Sequence, residues 1–133
     1  LYNWYAVADS RNVCPTDWHV PTDAEWTILA DYILSQGLDE YSVGTSLKST
    51  NGWNEYNGQR GNGTDDYGFS GLPGGNRSSY GSFVYLGEYG PWWSSTEFDR
   101  SDVWSRELSY KSGGIDRSHY YKECGFSIRC LRD

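Results

Sequence analysis

The sequence predicts one α+β domain, rich in irregular loops, with a modest sheet. Three observations carry this. Residues 22–36 space their apolar side chains as a helix does, between helix-type caps. Several short β-type stretches crowd the second half of the chain. Sixteen glycines mark many turns, and no repeat or linker divides the 133 residues, a length that suits one domain with a real core. That core must be unusual. Apolar residues are only 37% and Met is absent, while seven Trp and twelve Tyr are present. Aromatic rings must therefore fill much of the interior, with their N–H and O–H groups satisfied. Trp4, Trp18, Trp26, Trp53, Phe69 and Phe126 are the expected frame.

Along the chain, residues 1–7 (LYNWYAV) are compatible with a strand or a short helix. Residues 8–21 form a connection broken by Pro15 and Pro21. Thr22 then makes a good N-cap, Glu25 completes a capping box, and Asp23 suits the positive end of a helix. Trp26, Leu29, Ala30, Ile33 and Leu34 fall on one face and Gly37 supplies the stop, so a helix is expected at about 22–36. Residues 39–63 read as loop anchored by Val43, Leu47 and Trp53. Residues 61–79 are dense in Gly, Asn, Asp and Pro and must turn repeatedly, with Phe69 and Leu72 tucked inward. Strands are expected near 82–86, 92–96, 103–109, 114–118 and 125–131. In the last, Phe126, Ile128 and Cys130 alternate with Ser127, Arg129 and Leu131. Trp92 and Trp93 are adjacent and would face opposite ways on a strand, one of them into the core.

A net charge of −7 and a sequence pI near 4.7 argue against nucleic acid, whose binding needs Lys and Arg on phosphates, and against anionic membrane surfaces. No apolar run is long enough to span a membrane, so direct membrane insertion is not expected. The three cysteines, Cys14, Cys124 and Cys130, contain no CxxC, and two histidines give a zinc site little support. An odd count leaves two alternatives: one disulfide with one spare thiol, or three reduced core cysteines.

The most informative stretch lies between WWSSTEF and GFSIRCLRD. Between Phe98 and Cys124 the side chains are those that recognition surfaces use: Tyr and Trp for contact area, Ser and Gly for adaptable hydrogen bonding. Residues 97–121 are therefore the candidate ligand surface. Trp93, Trp104, Tyr110, Tyr120 and Tyr121 would make contact, with Asp99, Arg100, Asp102, Arg106, Arg117 and His119 as polar members. Such rings can stack on a sugar while Asp and Arg bind its hydroxyls, or anchor a protein hot spot. A solvated sheet face is the plainer alternative. Asn62, Asp65 and Asp66 cluster oxygens as calcium ligands do, although tight turns use the same residues and are the expected use here. No cofactor is expected. His19, His119 and the Glu97/Glu107 carboxylates lack a nucleophile motif or a known separation, so hydrolysis is not expected either.

Five blocks, LYNWYAV (1–7), CPTDWHVPTDAEWTIL (14–29), NGTDDYGFSGLPGGNR (62–77), WWSSTEF (92–98) and GFSIRCLRD (125–133), resemble the Fibrobacter succinogenes major paralogous domain, in the family's order and over nearly the whole chain. The resemblance implies a C-type-lectin-like fold of the formylglycine-generating-enzyme-like subclass: a small twisted antiparallel sheet, flanking helices and long functional loops. Family members usually carry an upstream WMAENL-like block, and nothing precedes Leu1 here, so an early strand or Trp is expected to be missing. In lectin-like folds the last strand returns to the early chain, which implies a Cys14–Cys130 disulfide with Cys124 free. The rival implication is a copper-binding Cys124/Cys130 pair, as in the related oxidases. Residues 98–124 are also similar to stretches diversified by retroelements in proteins of this fold. The resulting expectation is a secreted or surface-displayed bacterial module that binds a protein or glycan without chemistry. A structural or assembly module of a larger surface protein is the alternative, and a divergent copper oxidase the remote one.

Overall fold

In a computed structural model all of residues 1–133 are described. The elements in chain order are α1 (Trp4–Val7), β1 (Trp18–His19), α2 (Asp23–Ser35), α3 (Val43–Leu47), β2 (Glu55–Tyr56), β3 (Gln59–Arg60), β4 (Asn76–Arg77), β5 (Phe83–Val84), β6 (Tyr89–Glu97), β7 (Asp102–Ser109), β8 (Asp116–Tyr121) and β9 (Leu131–Arg132). This is a small α+β arrangement. β6, β7 and β8 form an antiparallel meander with β7 in the centre, and three two-stranded pairs (β1–β9, β2–β3, β4–β5) surround it. No helix is long and apolar enough to cross a membrane.

The predicted helix forms as its caps require. Thr22 Oγ1 accepts from the Glu25 backbone N–H at 3.2 Å, and the Thr22 N–H donates to Glu25 Oε2 at 2.8 Å. Gly37, at φ +95°, follows the C-cap in the left-handed conformation that glycine adopts without strain. Trp26 and Ile33 are buried and Leu29 and Ala30 partly so, but Leu34 points outward. The open choice at residues 1–7 divides: Tyr2 makes an antiparallel bridge to Phe126, and Trp4–Val7 is a helix with the Asn3 side chain accepting from the Ala6 N–H at its start.

Both faces of β6 are covered at Trp92 and Trp93, which corrects the expectation that only one of them is core. Trp92 packs with Trp26, Ile33, Val43, Leu47, Trp53, Phe69 and Leu108 beneath α2 and α3. Trp93 packs with Trp4, Val103, Cys124 and Phe126 on the opposite face, stacked on Phe126 at 4.2 Å. A sheet buried on both sides tolerates consecutive large apolar residues where a half-exposed sheet would alternate. The indole N–H groups of Trp4, Trp53 and Trp93 donate to the backbone carbonyls of Ser94, Gly71 and Tyr2. The predicted aromatic core holds with one exception. Trp18 is 38% exposed, because the two-residue β1 lies at the rim against β9. Leu72, expected to tuck inward, is 58% exposed.

The expected strand at 125–131 does not form as a unit. Gly125, Phe126 and Ser127 make isolated bridges to Arg77, Tyr2 and Trp92, three different parts of the chain, and only Leu131–Arg132 pairs as a strand. Phe126 is buried as expected, but Ser127 through Cys130 are all half-buried, so the expected alternation of burial is not realised, and the backbone is shared among several partners. The strand expected at 82–86 shrinks to β5. The end of the chain does return to its beginning. His19 pairs with Leu131, and Cys14 and Cys130 are joined in a disulfide with 5.8 Å between their Cα atoms, while Cys124 is free and buried.

Candidate functional site

Strand geometry decides which predicted residues can act together, since successive side chains point to opposite faces. The register pairs Trp104 with His119, Arg106 with Arg117, and Asp102 with Tyr121. These six share the face that α2 partly covers. Val103 pairs with Tyr120 and Glu107 with Asp116, on the other face. The predicted surface is therefore two surfaces, and Tyr120 is separated from its neighbours His119 and Tyr121.

On the α2 face the polar residues are largely tied to one another. Arg117 donates to Asp23 at 2.8 Å and its guanidinium lies 3.3 Å from the centre of the Trp104 ring. His119 stacks on Phe98 at 3.9 Å and its Nδ1 is 2.8 Å from Asp102 Oδ2. Arg106 leaves the surface altogether: it is 4% exposed, ion-paired to Asp23 at 2.9 Å and bonded to Thr27 Oγ1 at 2.8 Å. Trp93 is fully buried and is likewise no contact residue for an external ligand. Asp99 caps the β6–β7 turn, accepting from the N–H groups of Ser101 at 2.7 Å and Asp102 at 2.8 Å, and these bonds hold its carboxyl below the usual range. Arg100 is exposed at that turn, and Tyr121 is exposed beside the Asp102 position.

On the opposite face the structure forms a cleft of 460 Å³. Tyr85, Tyr89, Tyr120, Phe126 and Pro91 give it aromatic and apolar walls; Asn76, Glu88, Glu107 and Lys111 give it polar groups. Register explains the convergence: Pro91 is opposite Glu107 and Tyr89 is opposite Ser109, so β6 and β7 present Tyr89, Pro91 and Glu107 to the same side. Tyr120 leans against Phe126 at 5.0 Å. Tyr85 sits at φ +63°, an uncommon conformation for a bulky side chain, which holds its ring 5.4 Å from Tyr89. Tyr110, half-buried, is edge-on to Tyr89 at 6.3 Å and to Tyr56 at 5.5 Å, and Lys111 lies over the Tyr56 and Tyr110 rings at 5.2 and 5.3 Å.

Glu107 is the unusual member. It is 9% exposed, and its Oε1 is buried without a hydrogen-bond partner. Burial pushes its carboxyl above the usual range, partly offset by the Tyr120 phenol beside it. Burial and the neighbouring Glu107 charge likewise push the Tyr120 phenol well above its ordinary value. A buried carboxylate oxygen without a donor costs free energy, and a carboxyl perturbed in this way within a cleft is a functional candidate.

Of the sequence-predicted contact residues, Tyr120 alone lines this cleft. Tyr85, Tyr89, Asn76 and Glu88 were missed because they precede the polar stretch. Strand parity applied to Glu107 and Tyr89 would have found part of it. Glu97 and Glu107 are not a carboxylate pair: Glu97 is opposite Val103, roughly 13 Å along β7 from Glu107, and is ion-paired to Lys122. Asn62 Oδ1 accepts from the Trp53 N–H, Asp65 from the Ser70 N–H and Oγ, and Asp66 from Thr64 Oγ1. These are the turn uses of Asn and Asp. The Cys124/Cys130 pair that copper chemistry would need is unavailable, because Cys130 is bonded to Cys14.

The model of the Fibrobacter succinogenes major domain matches residues 1–132. The chain belongs to this family. No curated protein and no solved structure matches it. This Fibrobacter-type domain thus combines the cleft, the Cys14–Cys130 disulfide and a sheet whose β6 tryptophans are buried on both faces.

Proposed function

We propose that this domain is a non-catalytic ligand-recognition module of a secreted or surface-displayed bacterial protein, with a C-type-lectin-like fold of the formylglycine-generating-enzyme-like subclass. The observation that carries the reading is the cleft in which Tyr85, Tyr89 and Tyr120 surround the buried Glu107, whose Oε1 has no hydrogen-bond partner. Its size falls within the range of small-ligand sites, and its walls combine apolar area with few polar groups, as such sites do. Recognition is reversible: rings supply contact area, and Glu107, Glu88 and Asn76 supply directional bonds to a protein or glycan ligand. The disulfide favours an oxidising compartment, and the chain end returning to β1 supports the lectin-like assignment.

The test is a glycan and surface-protein array probed with wild type, Tyr120→Ala and Tyr85→Ala. Both variants are expected to lose about 30-fold in affinity for any hit, as central aromatic contacts do, while remaining folded. Unchanged affinity for a confirmed ligand counts against the cleft. An assembly role has its own support in the exposed apolar side chains Tyr80, Phe83 and Leu86 within and beside β5 in sequence. It requires binding to sibling domains of the parent protein that Phe83→Ser removes.

A further inference from the structure

The cleft has a charge problem that a neutral ligand would leave unsolved. Its lining contains two carboxylates, Glu88 and Glu107, against one ammonium, Lys111. Lys111 makes none of the ion pairs of the molecule; its Nζ faces the Tyr56 and Tyr110 rings. Glu107 thus has no cation beside it, and its Oε1 has no donor of any kind. Around it stand the rings of Tyr85, Tyr89 and Tyr120, and the electron-rich face of a tyrosine ring attracts cations. The Lys111 arrangement is the same chemistry already realised within the chain, an ammonium over two tyrosine rings at the border of the cleft.

We propose that this cleft binds an organic ammonium group, that of a lysine side chain on a partner protein, with Glu107 as its counter-ion and Tyr85, Tyr89 and Tyr120 as its walls. The proposal rests on the cleft being the recognition site. Pro91 and Phe126 line the same space and suit a four-carbon methylene stem better than a ring of hydroxyls. Sugar hydroxyls would need several amide or hydroxyl partners, and Asn76 is the one amide in the lining. A bound ammonium gives Glu107 the opposite charge that its ionised form lacks. Binding then releases the proton that burial favours on Glu107, and affinity rises with pH through the elevated range of that carboxyl. The other groups facing it are Glu88, Lys111, Tyr85, Tyr89 and Tyr120 in the cleft and Asp116 opposite it on β8.

The experiment is an NMR titration of the intact domain with Nα-acetyl-lysine methylamide, its norleucine counterpart and glucosamine, at acidic and mildly alkaline pH. The lysine analogue is expected to shift the Tyr85 and Tyr120 resonances and to bind more tightly at the higher pH. The norleucine analogue should bind about tenfold more weakly or worse, and Glu107→Gln should impose a similar loss, the scale of a bond to a charged group. Glu107→Gln keeps shape and removes charge, and a thermal melt verifies its folding. Equal binding of norleucine, tighter binding of glucosamine, or an unaffected Glu107→Gln variant would overturn the proposal. An array ligand that Tyr120→Ala abolishes, with no response to the lysine analogue, overturns the ammonium assignment and leaves the recognition reading standing.

Discussion

Glu107 and Tyr85 make the site, and both sit in environments that work against stability. Glu107 binds a proton more tightly in the folded than in the unfolded chain, since its folded pKa is raised. As pH climbs from the ordinary carboxyl value of 4.5 through that raised value, the folded state loses stability relative to the unfolded one. Glu107→Gln removes this linkage. Its melting temperature should exceed that of wild type by a margin that widens with pH over this window; a constant or shrinking margin in thermal melts would contradict the assignment. Tyr85 carries backbone strain at φ +63°. Tyr85→Gly relieves it while loosening the unfolded chain, so stability is expected to stay within about 1 kcal/mol of wild type. Ligand affinity, measured in parallel, should fall sharply. The sequence made Tyr120 visible through its company of polar aromatics. Nothing local distinguishes Tyr85 or Glu107, because their significance depends on a positive φ and on burial that only tertiary packing creates.

At the level of elements, the caps and spacing of α2 were legible because they are local: Thr22, Glu25 and Gly37 act within one or two turns of their own backbone. Thr22→Ala should cost about 1 kcal/mol in denaturant unfolding, the usual worth of an N-cap. A second contribution ties α2 to the chain end. His19 lies 2.6 Å from Asp133 and 3.0 Å from Glu25, and these two carboxylates, Asp133 first, raise its pKa above the usual 6.5. A raised histidine stabilises most below its unfolded pKa, and the benefit disappears as pH rises through the folded value. Replacing His19 by Gln should flatten the decline in melting temperature as pH rises above 6.5; an unchanged slope would assign that decline elsewhere. The 125–131 segment shows where local reading stops. Phe126 alternates as a strand residue would, yet Gly125, Phe126 and Ser127 each bridge a different partner. Ser127, Ile128, Arg129 and Cys130 are all half-buried, so alternation in the sequence marks neither a two-faced strand nor a backbone with one neighbour here.

Over the whole molecule, the meander is held between two aromatic cores, and the disulfide joins the chain end to its beginning across 116 residues. Reduction, or Cys14→Ser with Cys130→Ser, should lower stability by about 2–4 kcal/mol, since the bridge restricts the unfolded chain. Ligand binding should survive wherever the variant remains folded, because neither cysteine lines the cleft. The family and the α+β class were legible in dispersed sequence blocks. The division of residues 97–121 between two faces was not, for it follows from the register of β7 and β8. One comparison reads that division out: the affinity of Tyr120→Ala against that of Tyr121→Ala for the same ligand. The two are neighbours in sequence and exposed, but they face opposite sides of the sheet. Recognition in the cleft predicts loss of about 30-fold for Tyr120→Ala and little change for Tyr121→Ala. Loss confined to Tyr121→Ala would move recognition to the α2 face and rule out the cleft as the site.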